Sequence, residues 1–111
     1  MALAPGPATS QQVTADAVVG TADVPTTVWS ITIQSGTTVT ITIRNGDEVT
    51  DAILWGPTVA YTPAATVAPF HATFPNGLYC PAGAYADVAG TSPVVDVTYT
   101  QAPYVGPYVG A

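Results

Sequence analysis

From Val13 onward, apolar and polar residues alternate with a period of two, the spacing at which successive side chains of a strand point to opposite faces. Trp29, Ile31 and Ile33 alternate with Ser30, Thr32 and Gln34; Val39, Ile41 and Ile43 alternate with Thr38, Thr40, Thr42 and Arg44; Val95, Val97 and Tyr99 alternate with Asp96, Thr98 and Thr100. Each set carries one apolar and one hydroxyl-rich face. Weaker strand signals lie at 13–19 (VTADAVV), 51–55 (DAILW), 66–73 (TVAPFHAT) and 84–89 (AYADVA), with Gly and Pro between or beside them. No segment of helical length lacks both β-branched clusters and prolines. The pattern predicts an all-β domain, a compact β-sandwich of about seven short antiparallel strands in which two sheets cover each other's apolar faces. A small Greek-key barrel fits the same patterning.

The turn signal at Ser35-Gly36 tests this further, because directly opposed residues of an antiparallel pair share a face. A two-residue loop there would set Ile33 against Thr38, the wrong parity. A three-residue loop would oppose Ile33 to Val39 and Ile31 to Ile41; otherwise a bulge intervenes or the two stretches belong to different sheets. An odd loop or a change of sheet is expected.

Two terminal segments break the alternation. Residues 1–12 (MALAPGPATSQQ) hold two prolines and no periodicity, as expected of an extended N-terminal arm. Residues 102–111 repeat Pro103-Tyr104-Val105-Gly106 as Pro107-Tyr108-Val109-Gly110 before Ala111. Proline every fourth residue blocks helix and central-strand geometry, while Tyr and Val are too apolar for a solvated tag. The expected organisation is an arm (1–12), a β domain (13–101) and a docking tail (102–111) that lies on an adjacent subunit through Pro103, Tyr104, Val105, Pro107, Tyr108 and Val109.

Composition narrows the partners. Only 7% of the 111 residues are charged: seven acidic residues face one basic residue, Arg44, for a formal charge of −6. That balance removes the phosphate-neutralising charge needed for nucleic acid and the polybasic route to anionic membranes. No apolar run approaches the ~20 residues of a membrane helix, and the N-terminal stretch has no basic n-region followed by an apolar h-region. With one cysteine, Cys80, there is no intrachain disulfide, and folding in a reducing cytoplasm is expected. So little charge on a soluble domain implies that much of its surface is hidden against neighbours.

Candidate chemistry is sparse. The single histidine, His71, has no G-x-S-x-G nucleophile elbow to serve, and a copper site with Cys80 would need a second histidine. Cys80 has no basic neighbour in sequence and reads as a small apolar filler. The cluster Asn45-Gly46-Asp47-Glu48-Val49-Thr50-Asp51 offers oxygen ligands but not the alternating D-x-D-x-D-G spacing of a calcium loop, so it reads first as a solvated turn. Nothing seats a nucleotide, and no catalytic residue, cofactor or metal is expected. Trp29 is expected in the core. Trp55, at a strand end, reads as core, as an intersubunit anchor or as a sugar-stacking platform. Thr38, Thr40 and Thr42 form one row of an ice-binding type of threonine ladder, but one strand is not a plane.

Phe74-Pro75-Asn76-Gly77-Leu78, then Gly83-Ala84-Tyr85-Ala86-Asp87-Val88, Gly90-Thr91 and the closing Val94-Val95-Asp96-Val97-Thr98-Tyr99 resemble the end of small β-domain structural proteins of tailed bacteriophages. Ile41-Thr42-Ile43-Arg44-Asn45-Gly46 resembles their upstream strand and turn, so the likeness spans roughly residues 28–99. The chain departs from that pattern at Ala84, where a leucine is usual, and in the insert Tyr79-Cys80-Pro81-Ala82. The resemblance implies a non-enzymatic virion component made in a bacterial cytoplasm, of the capsid decoration or cement kind. Its partners would be copies of itself, a trimer being the expected ring, and the major capsid or other virion proteins. A fibre, tail or neck subunit and a carbohydrate-binding module are the alternatives.

Overall fold

The computed structural model describes residues 8–64 and 69–101; among these the chain is all-β, with six antiparallel strands in one hydrogen-bonded sheet and no helix. β1 spans Thr9–Val13, β2 Ala17–Val19, β3 Thr26–Asn45, β4 Ala52–Trp55, β5 Phe70–Cys80 and β6 Ala84–Gln101. Six strands replace the expected seven: β3 and β6 each join two alternating stretches into one long strand, and the stretch 13–19 is divided between β1 and β2. β3 absorbs both 29–34 and 38–44, and β6 both 84–89 and 95–99. Residues 9–12, grouped with the arm by composition, run in β1 against β6. The rest of the arm (1–7) and the tail (102–111) lie outside the described residues.

No hairpin forms at Ser35-Gly36. β3 continues through it, and β6 follows alongside, with register shifts between Ile33 and Ser35, Ser35 and Thr37, and Thr37 and Thr40. Gly36 and Gly90 make the crossing possible. A Cβ on Gly90 (φ +127°) would lie 2.9–3.0 Å from Thr37 O, Thr38 O and Val39 Cα, and one on Gly36 (φ +119°) would lie 2.9 Å from Pro93 Cα. Only a residue without a side chain fits backbones that close, and only glycine adopts these φ values without strain. The expected odd loop or change of sheet is thereby corrected: β3 runs on as one strand of one sheet, and register shifts of the bulge kind take up the change of parity.

The bend divides the sheet into two four-stranded sections. In one, the order is β5, β3 (26–33), β6 (95–101), β1; in the other it is β4, β3 (40–45), β6 (84–89), β2. The sections fold onto each other. Trp55 of β4 meets Phe74 of β5 at one side, with ring centroids 5.3 Å apart. At the other, the Gln11 side chain of β1 donates to Val18 O (2.9 Å) and accepts from Gly20 N (2.8 Å) beside β2. Between them lies one core: Val13, Val28, Ile31, Ile33, Val95 and Val97 from the first section, and Val19, Val39, Ile41, Ile43, Ala84, Ala86 and Val88 from the second. The alternating apolar positions of all three strong stretches, apart from Trp29 and Tyr99, therefore reach full burial.

Trp29 is the exception to its own pattern. Val28 pairs with Tyr99 and Ser30 with Thr98, so Trp29 is an extra residue, a bulge that reverses parity and turns Val28 inward instead. On the other side, Val28 pairs with Leu78 and Ser30 with Thr73, so β5 spends Phe74–Gly77 opposite the same point. The indole is half-buried and donates from Nε1 to Thr100 Oγ1 at 3.0 Å. The expected core placement of Trp29 is thus corrected by one inserted residue.

Candidate interaction surface

The only cation is already neutralised. Arg44 donates from Nε and from one terminal nitrogen to Asp87 Oδ2 (3.2 and 3.0 Å), and from the other to Asp51 O (2.9 Å). The acidic turn is likewise tied to the fold by its own hydrogen bonds. Asp51 Oδ2 accepts from the backbone N–H groups of Asp47 (2.9 Å) and Glu48 (3.0 Å), and Asn45 Oδ1 accepts from Ala82 N (2.8 Å). A carboxylate closing a turn in this way is what Asx-type turn chemistry requires.

His71 stands exposed on β5, its Nδ1 2.6 Å from Thr32 Oγ1 of β3. Asp96 of β6 is in register with Thr32 on the other side and accepts from Gln34 Nε2 at 2.5 Å. These side chains sit on an outer sheet face with Ser10, Thr98, Ser30 and Thr73, where Ser10 and Thr98 hydroxyls meet at 3.1 Å. The hydroxyl rows run across the strands, and the row along one strand is broken: Thr38 sits in the bend with φ +50°, and Thr42 is buried. Cys80 is buried, and desolvation pushes its thiol from 9.0 up to about 11, consistent with a packing role.

Apolar exposure concentrates around β4. Val59 is 89% exposed, Val49 and Ile53 are each 49% exposed and Leu54 37%, all within eleven residues of chain. β4 pairs with β3 alone among the described residues, so half of its backbone groups point away from any described strand. A register shift between Ile43 and Arg44 leaves Leu54 unpaired in a bulge. Trp55 closes the strand half-buried, edge-to-face on Phe74 and packed against the core.

Sequence reasoning singled out Trp55 and missed Ile53, Leu54, Val49 and Val59. The signal was the unbroken apolar run Ala52-Ile53-Leu54-Trp55: in a strand, such a run has one apolar set that its own sheet cannot cover unless both faces are buried. The remaining expected contact residues, Pro103, Tyr104, Val105, Pro107, Tyr108 and Val109, lie outside the described residues. Outside these, the other strongly exposed large apolar residue among the described ones is Tyr79, on β5. No protein-family model, curated protein or solved structure matches the chain.

Proposed function

We propose that this chain is a non-enzymatic structural subunit of a bacteriophage virion, of the capsid decoration type, which binds a repetitive shell and copies of itself through apolar contacts. The observation that carries the reading is the exposed apolar rim at β4 on a chain with 7% charged residues. A domain that works alone in solution gains nothing from leaving Ile53, Leu54 and Val59 exposed beside a strand edge that has no second partner among the described residues, an arrangement that invites association. A subunit that assembles in many copies needs such weak contacts, because avidity multiplies them on a lattice. The resemblance of residues 28–99 to small tailed-phage β-domain proteins supplies the setting.

The test is immunogold labelling of purified virus particles from the culture in which the chain is made. Regular labelling of the heads is expected. Label confined to the tail, neck or fibres would move the subunit to that part of the virion, and particles free of the chain would overturn the reading. A glycan array run on the same preparation should stay blank; saturable binding of one sugar class would make the domain a carbohydrate-binding module instead.

A further inference from the structure

The β4 rim has a candidate occupant in the chain itself. We propose that the repeat Pro103–Gly110 of one copy adds as an extra strand along the β4 edge of a second copy, its apolar side chains covering Ile53, Leu54 and Val59. The inference rests on the assembly role proposed above and names the two surfaces that meet.

The repeat has the pattern of a strand that can pair on one side only. Along an extended chain, hydrogen-bonding direction alternates with every residue, and Pro103 and Pro107 are four apart, so both lack their N–H on the same side. The opposite side keeps the N–H groups of Tyr104, Gly106, Tyr108 and Gly110. Such a segment fits a sheet edge and then hinders further growth, because its outer side lacks two of the four N–H donors that another strand would use. β4 offers the complementary feature, an edge with one described partner and no charged residue among Ala52–Trp55. The tail carries no charged side chain either, so docking desolvates no ion there.

Reach favours a second copy over the same chain. Gln101, from which the tail continues, lies at the end where β4 begins: Gln101 donates to Thr26 Oγ1, Thr26 donates to Val24 O, a Cβ on Gly83 would lie 3.4 Å from Asp23 N and 3.6 Å from Val24 O, and Gly46 donates to Gly83 O next to Asn45, the partner of Ala52. Yet Gln101 belongs to the opposite section, on a strand two places from its β5 edge, and β4 lies beneath β5. With strands about 4.8 Å apart and sheet layers about 10 Å apart, the crossing takes roughly 15 Å, or about half of a ten-residue tail. Self-docking would use up the first repeat in the crossing and require the chain to reverse around the β5 edge before the second could meet the four residues of β4. On a neighbour, within the ~35 Å reach of the extended tail, no reversal is needed: one repeat pairs along β4 and the other spans between the copies.

Two full-length double variants and their mixture test this by sedimentation velocity. Tyr104→Asp/Tyr108→Asp spoils the tail and keeps the rim, and Ile53→Asp/Val59→Asp spoils the rim and keeps the tail. The altered rim residues are exposed, and a thermal melt confirms that each variant is folded. The wild type is expected to self-associate, each variant alone to dissociate at least about tenfold more readily, and their mixture to recover complexes in which one good tail meets one good rim. Self-association that survives the tail variant but not the rim variant means that β4 edges pair with each other, and overturns the proposal. So does a wild-type monomer, or self-association that survives both variants. Immunogold labelling of virions by the tail variant is read separately, so particle binding can stand while tail exchange falls.

Discussion

Replacing Gly90 by alanine tests the continuous crossing of β3 and β6 on which the fold depends. At φ +127° an alanine is strained by about 1–3 kcal/mol. Its Cβ would also lie 2.9 Å from Thr37 O and 3.0 Å from Thr38 O and Val39 Cα. These are backbone atoms held by the core on both sides, so the clash is relieved only by moving the bend, which adds about 1–3 kcal/mol. The sum is about 4 kcal/mol, against a total stability of about 5–15 kcal/mol for a domain. Gly83 supplies the control. Its φ is +101°, but a Cβ there meets nothing closer than Asp23 N at 3.4 Å, so alanine at Gly83 carries strain without the clash. Urea unfolding followed by tryptophan fluorescence should therefore rank wild type above Gly83→Ala and Gly83→Ala above Gly90→Ala, the last two separated by about 1–3 kcal/mol. If Gly90→Ala proves as stable as Gly83→Ala, the two long strands do not approach each other there as described.

Three further outcomes are expected. Cys80, whose thiol is raised from 9.0 to about 11 by burial, stays protonated in the folded chain while the unfolded chain ionises; its contribution to stability is complete below pH 9 and lost as pH rises through 11. Alkaline urea midpoints of Cys80→Ala should lack that fall, and iodoacetamide at pH 8 should label the native thiol far more slowly than the unfolded one. Asp51→Ala removes the acceptor for Asp47 N and Glu48 N and should cost about 1–2 kcal/mol in urea unfolding, while millimolar calcium leaves the wild-type melting temperature unchanged; a calcium-induced rise would make the turn an ion site. Asp87→Asn leaves Arg44 without its carboxylate at a mostly buried position and should cost about 1–2 kcal/mol; a loss below 0.5 kcal/mol, on the order of an exposed pair, would show that the contact is merely superficial.

The apolar rim shows why the site was only half legible. Trp55 stands out in the sequence because a large aromatic at a strand end has few uses, but its ring is spent on Phe74. Whether Ile53 and Leu54 lie under a neighbouring strand or in water depends on where β5 runs, and β5 comes from residues fifteen and more positions later. His71 and Thr32 are a similar case: 39 residues apart, they meet because β5 lies beside β3 in one register.

Alternation alone determined that the chain is all-β and that Ile31, Ile33, Val39, Ile41, Ile43, Val95 and Val97 face inward, since a period of two is a property of each strand by itself. Tertiary pairing decided that four expected strands are two, that Trp29 is a bulge and not core, and that β4 has a single strand partner among the described residues. Those outcomes depend on which distant backbone supplies the hydrogen bonds at each position. One inserted residue or one glycine at a crossing changes that answer without disturbing the local pattern of apolar and polar side chains.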